Sequence, residues 1–285
     1  MKDSREEPGR VTARAGGDTG TLAAAGPSGG GAPAGRPALA AHEVVVSYGG
    51  VAAVNGFSLD VFPGEAVGLI GPNGAGKSSF LGALGGQVHL RSGSIQLGGH
   101  DVTGLSVHAR ARLGIARTFQ MTSEFSGMTT FENLLTAGHG AAGASLLSIV
   151  THPRRSHQAD QVAGRRAWQM LERFELTDIA NSYGRELSGG QRRLVEITRC
   201  LMGSPKVLLL DEPMVGVAPH LVDKLIVDLK SIRDEGIALI VVEHALEVVR
   251  ELCPRVIVMA QGRAIASGTY ADVVKDREVQ AAYLG

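Results

Sequence analysis

The run Gly71-Pro72-Asn73-Gly74-Ala75-Gly76-Lys77-Ser78 constrains the fold of this chain more than any other stretch. It follows Ala66-Val67-Gly68-Leu69-Ile70, which reads as a buried strand, and precedes Ser79-Phe80-Leu81, where a helical pattern begins. A strand, a glycine-rich turn and a helix start in that order form a cradle for phosphate. Backbone N–H groups curl around the anion, and the helix N-terminus adds its positive dipole end. Lys77 then supplies a point charge for the terminal phosphates, and Ser78 offers a hydroxyl to Mg²⁺. The candidate nucleotide-binding set runs from Gly71 through Ser79.

Such a cradle needs a carboxylate at the end of a neighbouring strand. Val207-Leu208-Leu209-Leu210 is short, continuous and apolar, and it delivers Asp211 and Glu212 just before Pro213. In open α/β sheets, ligands bind outside the carboxyl ends of the strands. Asp211 suits the magnesium shell, and Glu212 suits a base that orients the attacking water. The competing reading is that the two acids cap the next helix. Three further residues gain weight by their placement. Gln120 stands at the entry to a helical stretch and suits Mg²⁺ or the water. His244 follows Ile237–Val242 and suits a hydrogen bond to the γ-phosphate. Tyr48, in a turn between two short strands, suits stacking on a purine ring.

A second glycine-rich run, Leu187-Ser188-Gly189-Gly190-Gln191, starts another helix. Ser188 as N-cap and Gln191 three residues later form a capping box. Leu194, Ile197 and Leu201 fall on one face, with Arg192, Arg193, Glu196 and Arg199 on the other. Two glycines inside a helix start cost about 1 kcal/mol each relative to Ala. They make sense where an anion approaches the amides closely.

The remaining pattern is α/β. Glu43–Ser47, Phe57–Val61 and Ser94–Leu97 read as short strands, and Ile237–Val242 and Val256–Met259 as buried ones; a helix over Leu221–Ile232 separates two of the apolar runs. That alternation predicts a parallel sheet with right-handed crossovers. Residues from about 107 to 190 read as mostly helical, Ala163–Phe174 among them, and form an insertion into the core. Residues 1–40, rich in Gly, Ala, Pro and Thr, read as a disordered tail.

Composition narrows the setting. The 28 basic and 28 acidic residues leave a formal net charge of +0, which argues against general adhesion to nucleic acid. Cys200 and Cys253 form no disulfide or metal spacing and read as small apolar residues of a chain in a reducing compartment. No apolar run approaches the ~18 residues needed to cross a bilayer, and no signal peptide is evident in the first residues.

Together these residues resemble the ATP-binding subunit of an ABC transporter. Tyr48, Gly71–Ser78, Gln120, Leu187–Gln191, Leu210-Asp211-Glu212 and His244 occur in that family's order. The resemblance implies a P-loop NTPase parallel-sheet core over residues 41–285, with an N-terminal antiparallel β subdomain and the inserted helical subdomain. Within the family, Gly114–Gln120, Glu132–Ala137, Gly190–Met202 and Ala281–Gly285 are similar to the subunits that serve branched-chain amino-acid uptake. The resemblance implies an ATPase that works as a head-to-tail dimer. Each ATP with its Mg²⁺ would lie between one subunit's phosphate loop and the Ser188-Gly189-Gly190-Gln191 turn of the other. Two membrane permease subunits and an extracytoplasmic substrate-binding protein would complete the assembly, with the ATPases peripheral on the cytoplasmic face of the plasma membrane. Catalytic roles fall to Glu212, His244 and Gln120, and metal contacts to Ser78, Gln120 and Asp211. Two positions depart from the common pattern: Ala218 and Ala245 stand where many members carry Asp. Lipid or lipopolysaccharide export is an alternative within the same family. A soluble ABC-type ATPase is disfavoured by the single unit and the lack of sustained heptads.

Overall fold

The computed structural model describes residues 35–118, 126–142 and 153–284. The expected tail is therefore outside the described residues up to position 34, and Gln120 is outside them altogether.

Two sheets organise the core. The first is antiparallel, with order β2-β1-β4-β5: β1 (Leu39–Tyr48), β2 (Val51–Val61), β4 (Ser92–Leu97) and β5 (His100–Asp101). β1 begins earlier than its polarity pattern implied. Leu39 is fully buried and pairs with both Val61 and Leu97, so Leu39 and Ala40 belong to the sheet and not to the tail. The second sheet has six strands in the order β10-β9-β3-β8-β7-β6. β3 (Ala66–Ile70), β6 (Ile115–Arg117), β7 (Val207–Asp211), β8 (Ala238–Val242) and β9 (Arg255–Ala260) run parallel, and β10 (Arg263–Gly268) pairs antiparallel with β9.

β6 lies inside the stretch expected to be a helical insertion. Its three residues pair with Val207–Leu209 at the edge of the core sheet, so the insertion proper begins after it. Every residue of β3 and β8 is buried, as for strands covered on both faces. Side-chain alternation divides β7 between two cores: Leu208 and Leu210 enter one, Val207 and Leu209 the other. Burial of each such Leu contributes about 2 kcal/mol. The first core is shared with α5 (Gly189–Met202), α6 (Pro219–Asp234) and α7 (Leu246–Leu252); the second with α1 (Lys77–Gly85) and the antiparallel sheet.

The helical layer consists of α3 (Thr130–Ala142) and α4 (Pro153–Arg173), packed on each other and on α5 through Leu134, Ala167 and Leu171. α2 (Val107–Leu113) is tied instead to the core. Its Arg110 is 2% exposed, and one guanidinium nitrogen donates to Ala83 O (2.6 Å) and Leu84 O (2.8 Å) at the end of α1. A cation there satisfies helix-terminal carbonyls and meets the negative dipole end of the helix. α8 (Tyr270–Val273) and α9 (Arg277–Leu284) close the chain against β10.

Register positions the site. Val242 pairs with Leu69 of β3 and with Asp211 of β7, so the three strands end together. The segments that follow them, Gly71–Ser78, Glu212–Met214 and Glu243–Ala245, emerge along one edge of the sheet.

Candidate functional site

The loop after β3 is an anion cradle by its own geometry. Helix α1 has Gly76 as N-cap at φ 105°, with no side chain capping its first amides. A Cβ on Gly76 would lie 2.1 Å from Ala53 O, so the loop excludes any other residue there. Lys77 is 6% exposed, and its Nζ donates to Gly71 O (2.8 Å) and Pro72 O (3.0 Å). Burial lowers the pKa of Lys77, opposed by the nearby Glu212 and Asp211 carboxylates. Pro72, Asn73, Gly74 and Ala75 form the turn itself, closed by Ala75 N donating to Pro72 O at 3.2 Å. Ser78 and Ser79 lie in the first turn of α1.

Across the strand ends, Ser78 Oγ donates to Asp211 Oδ1 at 3.4 Å, and Arg117 Nη2 meets Asp211 Oδ2 at 2.9 Å. The hydroxyl and the carboxylate are hard oxygen donors beside a phosphate cradle, a set that fits Mg²⁺ held largely through phosphate and water. No group of three or more His, Cys, Asp or Glu side chains suited to a metal occurs among the described residues.

Glu212 Oε1 lies 3.1 Å from His244 Nε2, and both side chains remain nearly half exposed. Glu212 does not cap a helix: α6 starts at Pro219 after the N-cap Ala218, which offers no side-chain bond. Its backbone is left-handed, φ 49°. A carboxylate held against an imidazole and facing solvent can accept a proton from water, with the imidazole fixing its direction.

Sequence reasoning missed Glu243, whose only signal was its place between a buried strand and His244. It is 3% exposed; Oε1 accepts from Met214 N (2.8 Å), and Oε2 accepts from His244 N (2.9 Å) and Ala245 N (3.2 Å). One buried carboxylate thus joins the turn after Glu212 to the turn that carries His244. Ala245, where an Asp was noted as common, contributes its amide to this network.

Helix α5 opens as its sequence predicts. Ser188 Oγ accepts from Gln191 N (3.2 Å), and Ser188 N donates to Gln191 Oε1 (2.9 Å). A Cβ on Gly189 would come within 2.5 Å of Gly216 O, so close approach of this chain's own backbone already requires glycine there. A cleft of about 660 Å³ separates this turn from Ser78, Asp211 and Glu212. The expected polar face of α5 is divided: Arg192 is exposed, whereas two of its other members are not. The Arg193 and Glu196 side chains are 12% and 6% exposed and are turned toward the end of β7.

Tyr48 ends β1, 51% exposed on the antiparallel sheet. The thiols of Cys200 and Cys253 form no disulfide, and burial pushes each up to about 12.

A parallel sheet with a phosphate loop after one strand and paired acids after another defines the class: a P-loop nucleoside-triphosphatase. A family model described as ABC transporter matches residues 54–215, and one described as branched-chain amino acid ATP-binding cassette transporter matches residues 265–285. The chain belongs to the ABC transporter family, as an ATP-binding cassette that hydrolyses ATP. It is 36% identical over 251 residues to the high-affinity branched-chain amino acid transport ATP-binding protein BraF of Pseudomonas aeruginosa, covering 88% of this chain and 98% of BraF. The lipopolysaccharide export system ATP-binding protein LptB of Haemophilus influenzae is 34% identical, covering 87% of this chain and 97% of LptB. A solved ATP-binding cassette of an ABC transporter in its ADP conformation is similar at TM-score 0.76 and 32% identity, covering 87% of this chain and 99% of that one.

Proposed function

We propose that this chain energises an importer of branched-chain or related amino acids. The observation that carries the ATPase part is the convergence at one sheet edge of Lys77, the Ser78–Asp211 pair and the Glu212–His244 pair. The amino-acid assignment is supported by the match over residues 265–285 and by the similarity to BraF. The similarity to LptB favours lipid export as the second reading.

Residues Gly71–Ser79 hold the phosphates through their amides, with Lys77 balancing the charge that develops as the terminal phosphoryl leaves. Ser78 and Asp211, with Gln120, would hold Mg²⁺, which when bound would supply electrostatic stabilisation of the charge on the transferring phosphoryl group. Glu212 takes the proton of the attacking water, and His244 fixes the carboxylate and contacts the γ-phosphate. Tyr48 stacks on adenine. Ser188, Gly189, Gly190 and Gln191 complete the site of a second ATPase subunit, related head to tail. The dimer sits on the cytoplasmic face of the plasma membrane beneath two permease subunits, which receive solute from an extracytoplasmic binding protein. Among the described residues no helix is long and apolar enough to cross a membrane.

Deletion of the gene should abolish high-affinity uptake of labelled leucine, isoleucine or valine, and tagged protein should co-purify multi-span permeases. Intact uptake together with recovery of lipid-export subunits would sink the importer reading. In the site itself, Glu212→Gln should still bind ATP, accumulate a closed dimer by size-exclusion chromatography, and lose turnover by about 10²- to 10⁴-fold.

A further inference from the structure

We infer that Arg193 is a positioning residue for Glu212, and that it ties the start of helix α5 to the catalytic turn of the same subunit. The inference rests on the reading of Glu212 as the base.

Arg193 stands one turn into α5, and its guanidinium spans three consecutive carbonyls of the chain leaving β7. Nη2 donates to Asp211 O and, at 2.6 Å, to Glu212 O; Nε donates to Pro213 O at 3.1 Å. Nη1 is paired with Glu196 Oε2 at 2.6 Å, which neutralises the cation and fixes its plane. The planar five-donor fork of arginine suits this array, and a lysine ammonium does not reproduce it.

The bonds fall where the backbone needs them. Glu212 is a non-glycine residue in the left-handed region, at φ 49°. Such a conformation costs about 1–3 kcal/mol and persists only where the surroundings over-determine it. From the sheet side, Glu212 N donates to Val242 O at 2.8 Å, and Met214 N donates to Glu243 Oε1 at 2.8 Å. From the helix side, Arg193 is what holds the carbonyls. The left-handed turn aims the Glu212 side chain at His244. A buried ion pair such as Arg193–Glu196 adds little net stability against an apolar replacement of the same shape. Its three-carbonyl grip specifies a geometry. Because Ser188–Gly190 head the same helix, a displacement of that turn is transmitted within one helical turn to the backbone of Glu212.

The test compares Arg193→Ala, Arg193→Lys and Glu212→Gln in the full-length chain by ATP turnover, equilibrium ATP binding and thermal melting. Arg193→Ala should lower kcat about 10- to 100-fold while KM and ATP affinity stay within about threefold, the pattern of a misplaced base. Arg193→Lys should recover part of that loss. A lowered melting temperature with wild-type kcat below it would overturn the inference, as would a fall in kcat matched by an equal fall in affinity. If Arg193→Ala does not fold, Arg193→Lys decides: reduced kcat with affinity kept supports positioning, and wild-type kcat refutes it. Wild-type turnover in Glu212→Gln would overturn the base assignment itself. Lost turnover there with normal Arg193 variants would refute only the positioning role.

Discussion

Two glycine-rich turns open helices on opposite walls of one cleft, and they solve the same local problem in opposite ways. The turn at Gly71–Ser78 leaves the first amides of α1 without a side-chain acceptor and places a buried lysine beside them. The turn at Leu187–Gln191 satisfies its own helix start through the Ser188–Gln191 capping box. The first is therefore incomplete without an anion, whereas the second is locally self-sufficient and stands against the Gly216 backbone. The difference fits the two roles proposed above: a turn that binds nucleotide by itself, and a turn that contributes to the site of a second subunit. An isolated monomer should accordingly bind ATP and hydrolyse it slowly.

Three substitutions test this contrast, in descending size. Lys77→Ala removes the cation that only the first turn has. It should weaken ATP binding about 10- to 100-fold by calorimetry, equivalent to about 1.5–3 kcal/mol for a charge-assisted hydrogen bond. Gly189→Ala must displace the second turn, since its new methyl would lie 2.5 Å from Gly216 O. Turnover of the assembled ATPase should fall about tenfold, with ATP affinity of the single chain unchanged. If single-chain affinity fell in parallel, the second turn would serve its own subunit's nucleotide and the contrast would collapse. Ser188→Ala removes a side-chain cap that α1 does not possess, and should cost about 1 kcal/mol in urea unfolding.

Much of the first turn was legible without coordinates because its signals are local. Ala66–Ile70 is a strand of the expected bounds, and the apolar run before Asp211 is one too, because fully buried parallel strands must be continuously apolar. β6 escaped notice because three residues carry no periodicity; only pairing with Val207–Leu209 makes them a strand. The burial of Arg193 and Glu196 was not legible, since helical periodicity places them opposite Leu194, Ile197 and Leu201 but says nothing about what a polar face meets. Glu243 carried no distinguishing spacing, because its partners are backbone amides, which every sequence contains.

By itself, then, the amino-acid sequence determined the strand–loop–helix cradle, the capped start of α5 and the pair of acids at the end of β7. Each depends on residues within one turn or one strand of each other, where propensity, capping and alternation act directly. Tertiary structure alone decided that β3, β7 and β8 end in register, so that Ser78 meets Asp211 and Glu212 meets His244. It also decided that Arg193 and Glu196, on the polar side of α5, lie mostly buried, with Arg193 bonded to the carbonyls of Asp211, Glu212 and Pro213. Contacts between residues far apart in the chain depend on how layers stack and on which carbonyls a buried charge finds there, and no local pattern encodes them.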